Sequence, residues 1–119
     1  MGKKEGLKKD EILRKRKELW GIKKEGKKLT SAYFTIYYQA SKEEGKRKIC
    51  FAVDREVKKA TERNYLKRRM REVYRQNKDS FPLSFYYFIQ AKASSLNLPH
   101  DAFKKELFTL TQRIKNELA

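Results

Sequence analysis

Catalysis by side chains needs convergent groups, and the carboxylates of this chain do not converge. Asp54 and Glu56 are two residues apart on one face of an extended segment, but Arg55 and Lys58 neighbour them. Ion pairing therefore explains them better than a two-metal site, which needs several carboxylates aimed at one point. His100 is the only histidine, and Asp101 follows it at a predicted helix start, where the helix dipole accounts for an acid. An adjacent His–Asp pair lacks the geometry of an acid–base unit. Cys50 is the only cysteine. It can form no internal disulfide, and with one histidine no Cys/His zinc site is available. It reads as a small strand residue. The groups present in number are cations. Arg63, Lys67 and Arg71 recur at every fourth position, flanked by Asn64, Arg68 and Arg75. Their chemistry is phosphate binding: guanidinium forks take phosphate oxygens two at a time, and Asn64 can donate and accept at a sugar or base edge.

The charge distribution agrees. The 119 residues carry 31 Lys+Arg against 15 Asp+Glu, a formal charge of +16. Residues 1–28 hold 12 basic and 5 acidic side chains and residues 54–78 hold 10 and 4, so +13 sits in two segments. Between them lies an aromatic-rich stretch of low charge. A polyanion relieves such self-repulsion, and nucleic acid supplies regularly spaced phosphates whose counterions are released on binding. Two other readings are a solvated, solubilising surface and an anionic membrane surface. The basic segments lack an apolar helix face rich enough to embed, which disfavours the membrane. No apolar run approaches the roughly 20 residues that span a bilayer. The lone cysteine fits a reducing, cytoplasmic setting.

The elements that must hold these residues follow from periodicity. Residues 1–9 read as a flexible basic tail, and residues 10–119 as one domain. From Asp10, a candidate N-cap, to Lys24 the pattern is helical, with Ile12, Leu13, Leu19, Trp20 and Ile22 near one side and Gly26 at the end. Residues 32–40 are β-branched and aromatic and predict a strand. Its alternation sets Phe34, Ile36 and Tyr38 on one face and Tyr33, Thr35 and Tyr37 on the other. Ser41 to Gly45 predicts a turn and 47–53 a return strand, together an antiparallel hairpin. Residues 61–77 give the clearest helix, with Thr61 as cap and Leu66, Met70 and Val73 as its apolar stripe. Residues 84–91 are a nearly continuous apolar run, expected to be a strand buried on both faces. Pro99 opens a last helix whose stripe is Phe103, Leu107, Leu110, Ile114 and Leu118. Helix, two or three strands, helix, strand, helix is an α+β architecture, αβββαβα with three.

Residues 53–75 run V-D-R-E-V-K-K-A-T-E-R-N-Y-L-K-R-R-M-R-E-V-Y-R. This stretch resembles the signature of the bacterial ribonuclease P protein, in particular at Val53, Arg55, Ala60, Arg63, Asn64, Lys67, Arg68, Arg71, Glu72, Tyr74 and Arg75. The resemblance extends over most of the chain. Departures fall at Tyr65, where an arginine is usual, at Glu56 and Lys58, which stand for a lysine and a glycine, and at Lys23, where an aromatic is usual.

The resemblance implies a ribosomal-protein-like sheet with a left-handed βαβ crossover, where general chain sterics favour the right-handed form. It implies that a catalytic RNA subunit performs the hydrolysis and holds the Mg2+, with none bound tightly by the protein. The protein would then have no catalytic residues of its own and would assist removal of the 5′ leader of precursor tRNA. The expected contacts to ribonuclease P RNA are Lys58, Lys59, Arg63, Asn64, Lys67, Arg68 and Arg71. The expected leader cleft is Leu19, Lys23, Phe34, Tyr37 and Arg55. Strand phase gives Phe34 a core reading beside that cleft reading, and leaves Tyr33 and Tyr37 free to stack bases. One monomeric protein per RNA, without a membrane partner, is the implied assembly. A non-catalytic RNA-binding protein of ribosomal or chaperone type, on the same fold, is the alternative.

Overall fold

The computed structural model describes Ile12 and residues 16–41 and 45–118. Its elements are α1 (Arg16–Glu25), β1 (Lys27–Thr30), β2 (Phe34–Ala40), β3 (Lys48–Val53), α2 (Ala60–Gln76), β4 (Phe85–Ala91) and α3 (His100–Leu118). Short 3-10 turns at Lys78–Ser80 and Ala93–Asn97 flank β4. The expected tail at 1–9, the cap at Asp10 and the middle of the turn at 42–44 lie outside the described residues, but Ile12, expected on the first helix, instead forms a parallel bridge with Ile49 of β3. Gly26 ends α1, its amide bonding the Ile22 carbonyl at 2.9 Å. A Cβ there would stand 2.5 Å from that oxygen and 2.7 Å from the Tyr38 carbonyl, so only glycine lets α1 turn into β1 this closely. Lys59 takes the N-cap position of α2 in place of Thr61, with no side-chain cap bond.

One sheet is formed in the order β1-β2-β4-β3. This corrects the antiparallel hairpin expected of residues 32–40 and 47–53. β2 instead pairs antiparallel with β1 and with β4, while β3 runs parallel to β4. The physical reason lies in β4, F-Y-Y-F-I-Q-A. A strand apolar on both faces gains most at the centre of a sheet, covered on each side and paired along both edges. The helix between β3 and β4 supplies the long connection that parallel pairing requires.

The main core lies on the face covered by α2 and α3. Ile36 and Tyr38 from β2, Ile49 from β3 and Tyr87 and Ile89 from β4 meet Leu66, Met70 and Val73 from α2 and Phe103, Leu107, Leu110 and Ile114 from α3. Leu118, expected to complete the α3 stripe, is exposed at the helix end. A second, smaller cluster on the opposite face joins Ile22 to Tyr86 and Phe88, with Leu19, Tyr37, Cys50 and Ala52 around it. Here α1 covers only part of the sheet. Trp20, expected on the buried side of α1, is 67% exposed. It follows Leu19 by one residue, about 100° around the helix, which carries it off the stripe that Leu19 and Ile22 define.

Candidate nucleic-acid interface

The stripe Leu66, Met70, Val73 and Tyr74 is buried, and Arg69 with it, so the remaining faces of α2 present its other polar residues. Asn64, Arg68 and Arg71 are exposed, as are Lys58 and Lys59 ahead of the helix, and Lys67 is half-buried. Three arginines of this helix are engaged within the protein. Arg63 donates from Nη1 to the carbonyls of Asp54 and Val57, each at 2.9 Å, and from Nη2 to that of Val53 at 3.1 Å. Its guanidinium therefore ties the turn after β3 to the helix, which corrects the expectation of an outward cation at that position. Arg69 is buried, its Nη2 donating to the Leu98 carbonyl at 3.0 Å. Its guanidinium lies between the Phe103 ring, 4.0 Å from the centroid, and the Tyr65 ring at 5.1 Å. Arg75 bonds the Glu72 carboxylate, and that bond holds the carboxyl below its ordinary range.

Across the sheet, the face bordered by α1 carries a rung formed by Lys28, Tyr37, Phe88 and Cys50, one from each strand. Tyr37 and Phe88 meet edge-on, with ring centroids 5.9 Å apart. The Lys23 ammonium stands 4.8 Å from the Phe88 centroid and the Lys28 ammonium 5.6 Å from that of Tyr37. Lys48 lies 5.8 Å from the Tyr86 ring and 3.8 Å from the Glu18 carboxylate. A groove of about 490 Å³ opens beside them, lined by Lys17, Leu19, Trp20, Lys23 and Phe88. Aromatic floor and ammonium rim together suit single-stranded nucleic acid, which needs a stacking surface and a counter-charge for its backbone.

Of the expected cleft residues, the fold brings Leu19, Lys23 and Tyr37 to this face. Arg55 is exposed in the turn after β3. Phe34 does not belong here. It is fully buried on the opposite face, its ring 5.0 Å from Phe103 and nearly perpendicular to it. Tyr33 likewise packs at the edge of the main core. Phe88 and Lys28 were missed. Residues 84–91 are apolar throughout, so no alternation distinguishes Phe88 from its neighbours, and β1 is too short to declare a phase.

Cys50 sits on the same face. Burial pushes its thiol up, while Lys67 of α2 and Lys23 of α1 act in the opposite sense. The thiol form is thus favoured, which is the wrong state for a nucleophile. Among the described residues no three His, Cys, Asp or Glu side chains are placed to hold a metal ion, and no helix is long and apolar enough to cross a membrane.

A small basic α+β domain with a cationic helix and a lysine-rimmed aromatic groove is therefore the class that fold and site define. The Ribonuclease P family model matches residues 7–115, and the chain belongs to that family. The ribonuclease P protein component of Petrotoga mobilis is 31% identical over 113 residues, which span 92% of this chain and 95% of that protein. The solved RNase P protein from Thermotoga maritima superposes with a TM-score of 0.77 at 31% identity, covering 87% of this chain and 96% of the other. An RNase P protein structure from Staphylococcus aureus reaches 0.77 at 20% identity over 90% and 96%, a likeness of fold. The family supplies the protein component of a ribonucleoprotein endoribonuclease of tRNA processing.

Proposed function

We propose that this chain binds the catalytic RNA of ribonuclease P through the exposed polar faces of α2 and holds the 5′ leader of precursor tRNA in the groove between α1 and the sheet. The reading rests on one observation: ammonium groups stand over aromatic rings on the sheet face away from the main core, at Lys23 on Phe88 and Lys28 on Tyr37. The two surfaces have different chemistry. Lys67, Arg68 and Arg71, with Lys58 and Lys59, present charge, and Asn64 a neutral amide beside them, which suits the backbone of a folded RNA. The groove adds rings, which suit unstacked bases.

In this reading the RNA performs hydrolysis with the Mg2+ it holds. The protein screens phosphate repulsion, so that metal and substrate bind at lower concentration. It acts in the cytoplasm, as a monomer when free and as one copy per RNA. The test is cleavage of precursor tRNA by a bacterial ribonuclease P RNA at low magnesium, with and without the protein. Stimulation that grows with the presence of a leader is the expected result. No stimulation at any salt would instead place the chain among non-catalytic RNA-binding proteins of ribosomal or chaperone type.

A further inference from the structure

Trp20 is the most exposed of the large hydrophobic residues described, with 67% of its surface open to solvent. It forms one wall of the groove whose other lining includes Phe88 and Lys23. Lys17, Trp20 and Lys23 follow at intervals of three residues on α1, so they share one flank of the helix. Each step rises about 4.5 Å, so an ammonium, an indole and a second ammonium succeed one another along the groove. Among the described residues neither lysine is ion-paired. Lys23 is instead held over the Phe88 ring at 4.8 Å.

We infer that Trp20 is a stacking residue for an unpaired purine of single-stranded RNA, with Lys17 and Lys23 taking the phosphates on either side. This rests on the leader-groove reading and adds to it a specific base-binding wall outside the sheet. Charge complementarity selects the occupant. An apolar partner would leave two ammonium groups desolvated beside the indole, whereas a polynucleotide offers a ring for the indole and an anion for each lysine. A purine presents the larger stacking face, so it is preferred to a pyrimidine.

The chain has a single tryptophan, so its emission reports on this site directly. Titration with short single-stranded oligoadenylate should quench Trp20 emission, and oligouridylate of equal length should quench it less. With a dye-labelled oligoadenylate read by anisotropy, Trp20→Ala should bind about tenfold more weakly and Trp20→Phe should recover most of the loss. An exposed side chain is not needed for folding, and an unchanged urea midpoint for both variants verifies this. Binding of oligoadenylate with unchanged emission, and with unchanged affinity in Trp20→Ala, would overturn the role of Trp20 while leaving the groove reading intact. Absence of oligonucleotide binding by the unaltered protein at low salt would overturn both. Emission that changes with protein concentration alone, together with dimers in sedimentation, would assign the indole to a second copy and overturn the inference.

Discussion

Arg63 reaches back across the start of α2 to the end of β3, its Nη2 donating to the Val53 carbonyl at 3.1 Å. With the Asp54 and Val57 carbonyls at 2.9 Å on Nη1, one guanidinium closes the whole turn between strand and helix. Removing it leaves three carbonyls short of a charged donor. Arg63→Ala is expected to lower stability by about 1–3 kcal/mol, read as a shift in urea midpoint. Arg63→Lys should restore little, because one ammonium does not reproduce the planar fork. Arg68→Ala, at an exposed position, should stay within about 0.5 kcal/mol of the parent.

Arg68 and Arg71 predict the converse behaviour. Both are exposed, so replacing them leaves the fold intact and removes phosphate contacts. In binding to ribonuclease P RNA, each Ala substitution should reduce the slope of log K against log salt by roughly 1. Filter binding over a salt series measures this. An unchanged slope in the double variant would remove α2 from the RNA interface.

The two faces of β2 separate stability from single-strand binding. Phe34 is fully buried against Phe103. Phe34→Ala should cost about 3–5 kcal/mol through the cavity it leaves. Tyr37 is half-buried on the groove side. Tyr37→Ala should cost less stability and weaken binding of leader-bearing substrates more than of mature tRNA. Equal loss of leader discrimination in a Phe34→Leu variant that still folds would contradict the assignment of faces.

Gly26→Ala tests the joint between α1 and the sheet. The added methyl would collide with the backbone oxygens of Ile22 and Tyr38, at 2.5 and 2.7 Å. Backbone cannot swing aside as a side chain does, so α1 must shift. Single-stranded RNA binding should fall, while binding to the catalytic RNA, which the reading places on α2, should change little. Comparing the two affinities in one variant is the check.

Alkaline pH should expose the Tyr38–Glu117 contact. Burial first, and then the hydrogen bond donated to the Glu117 carboxylate, push the Tyr38 hydroxyl from 10.0 up to about 12. The folded protein holds this proton more tightly than the unfolded chain does. The associated stabilisation is therefore complete below pH 10.0 and is lost as pH rises through about 12. Tyr87, raised by burial, shifts in the same direction. Urea midpoints across that window should fall more steeply for the parent than for Tyr38→Phe. Parallel curves would count against the contact.

Much of this was legible before any fold was known. The stripe Leu66, Met70 and Val73 fixes which side of α2 is buried, because a helix repeats every 3.6 residues and its contacts are local in sequence. Alternation grouped Phe34 with Ile36 and Tyr38, and that grouping holds. Strand phase pointed Phe34 to the core, where it lies; its place in the cleft came from the resemblance alone, which carries over positions and not the packing around them. Trp20 went astray for a different reason. A short amphipathic helix with glycine in it leaves the edge of its apolar stripe poorly defined.

The residues alone thus determined the charge and its clustering, the buried stripes of α2 and α3, and the family signature from Val53 to Arg75. Each is a property of composition or of neighbours a few positions apart. Only the tertiary structure decided that β4 enters between β2 and β3, that Arg63 serves the main chain, and that Lys23 and Phe88 line one groove with Tyr37 beside them on the same sheet face. Those relations join residues distant along the chain. Their energies come from pairing and burial that exist only once the sheet has formed.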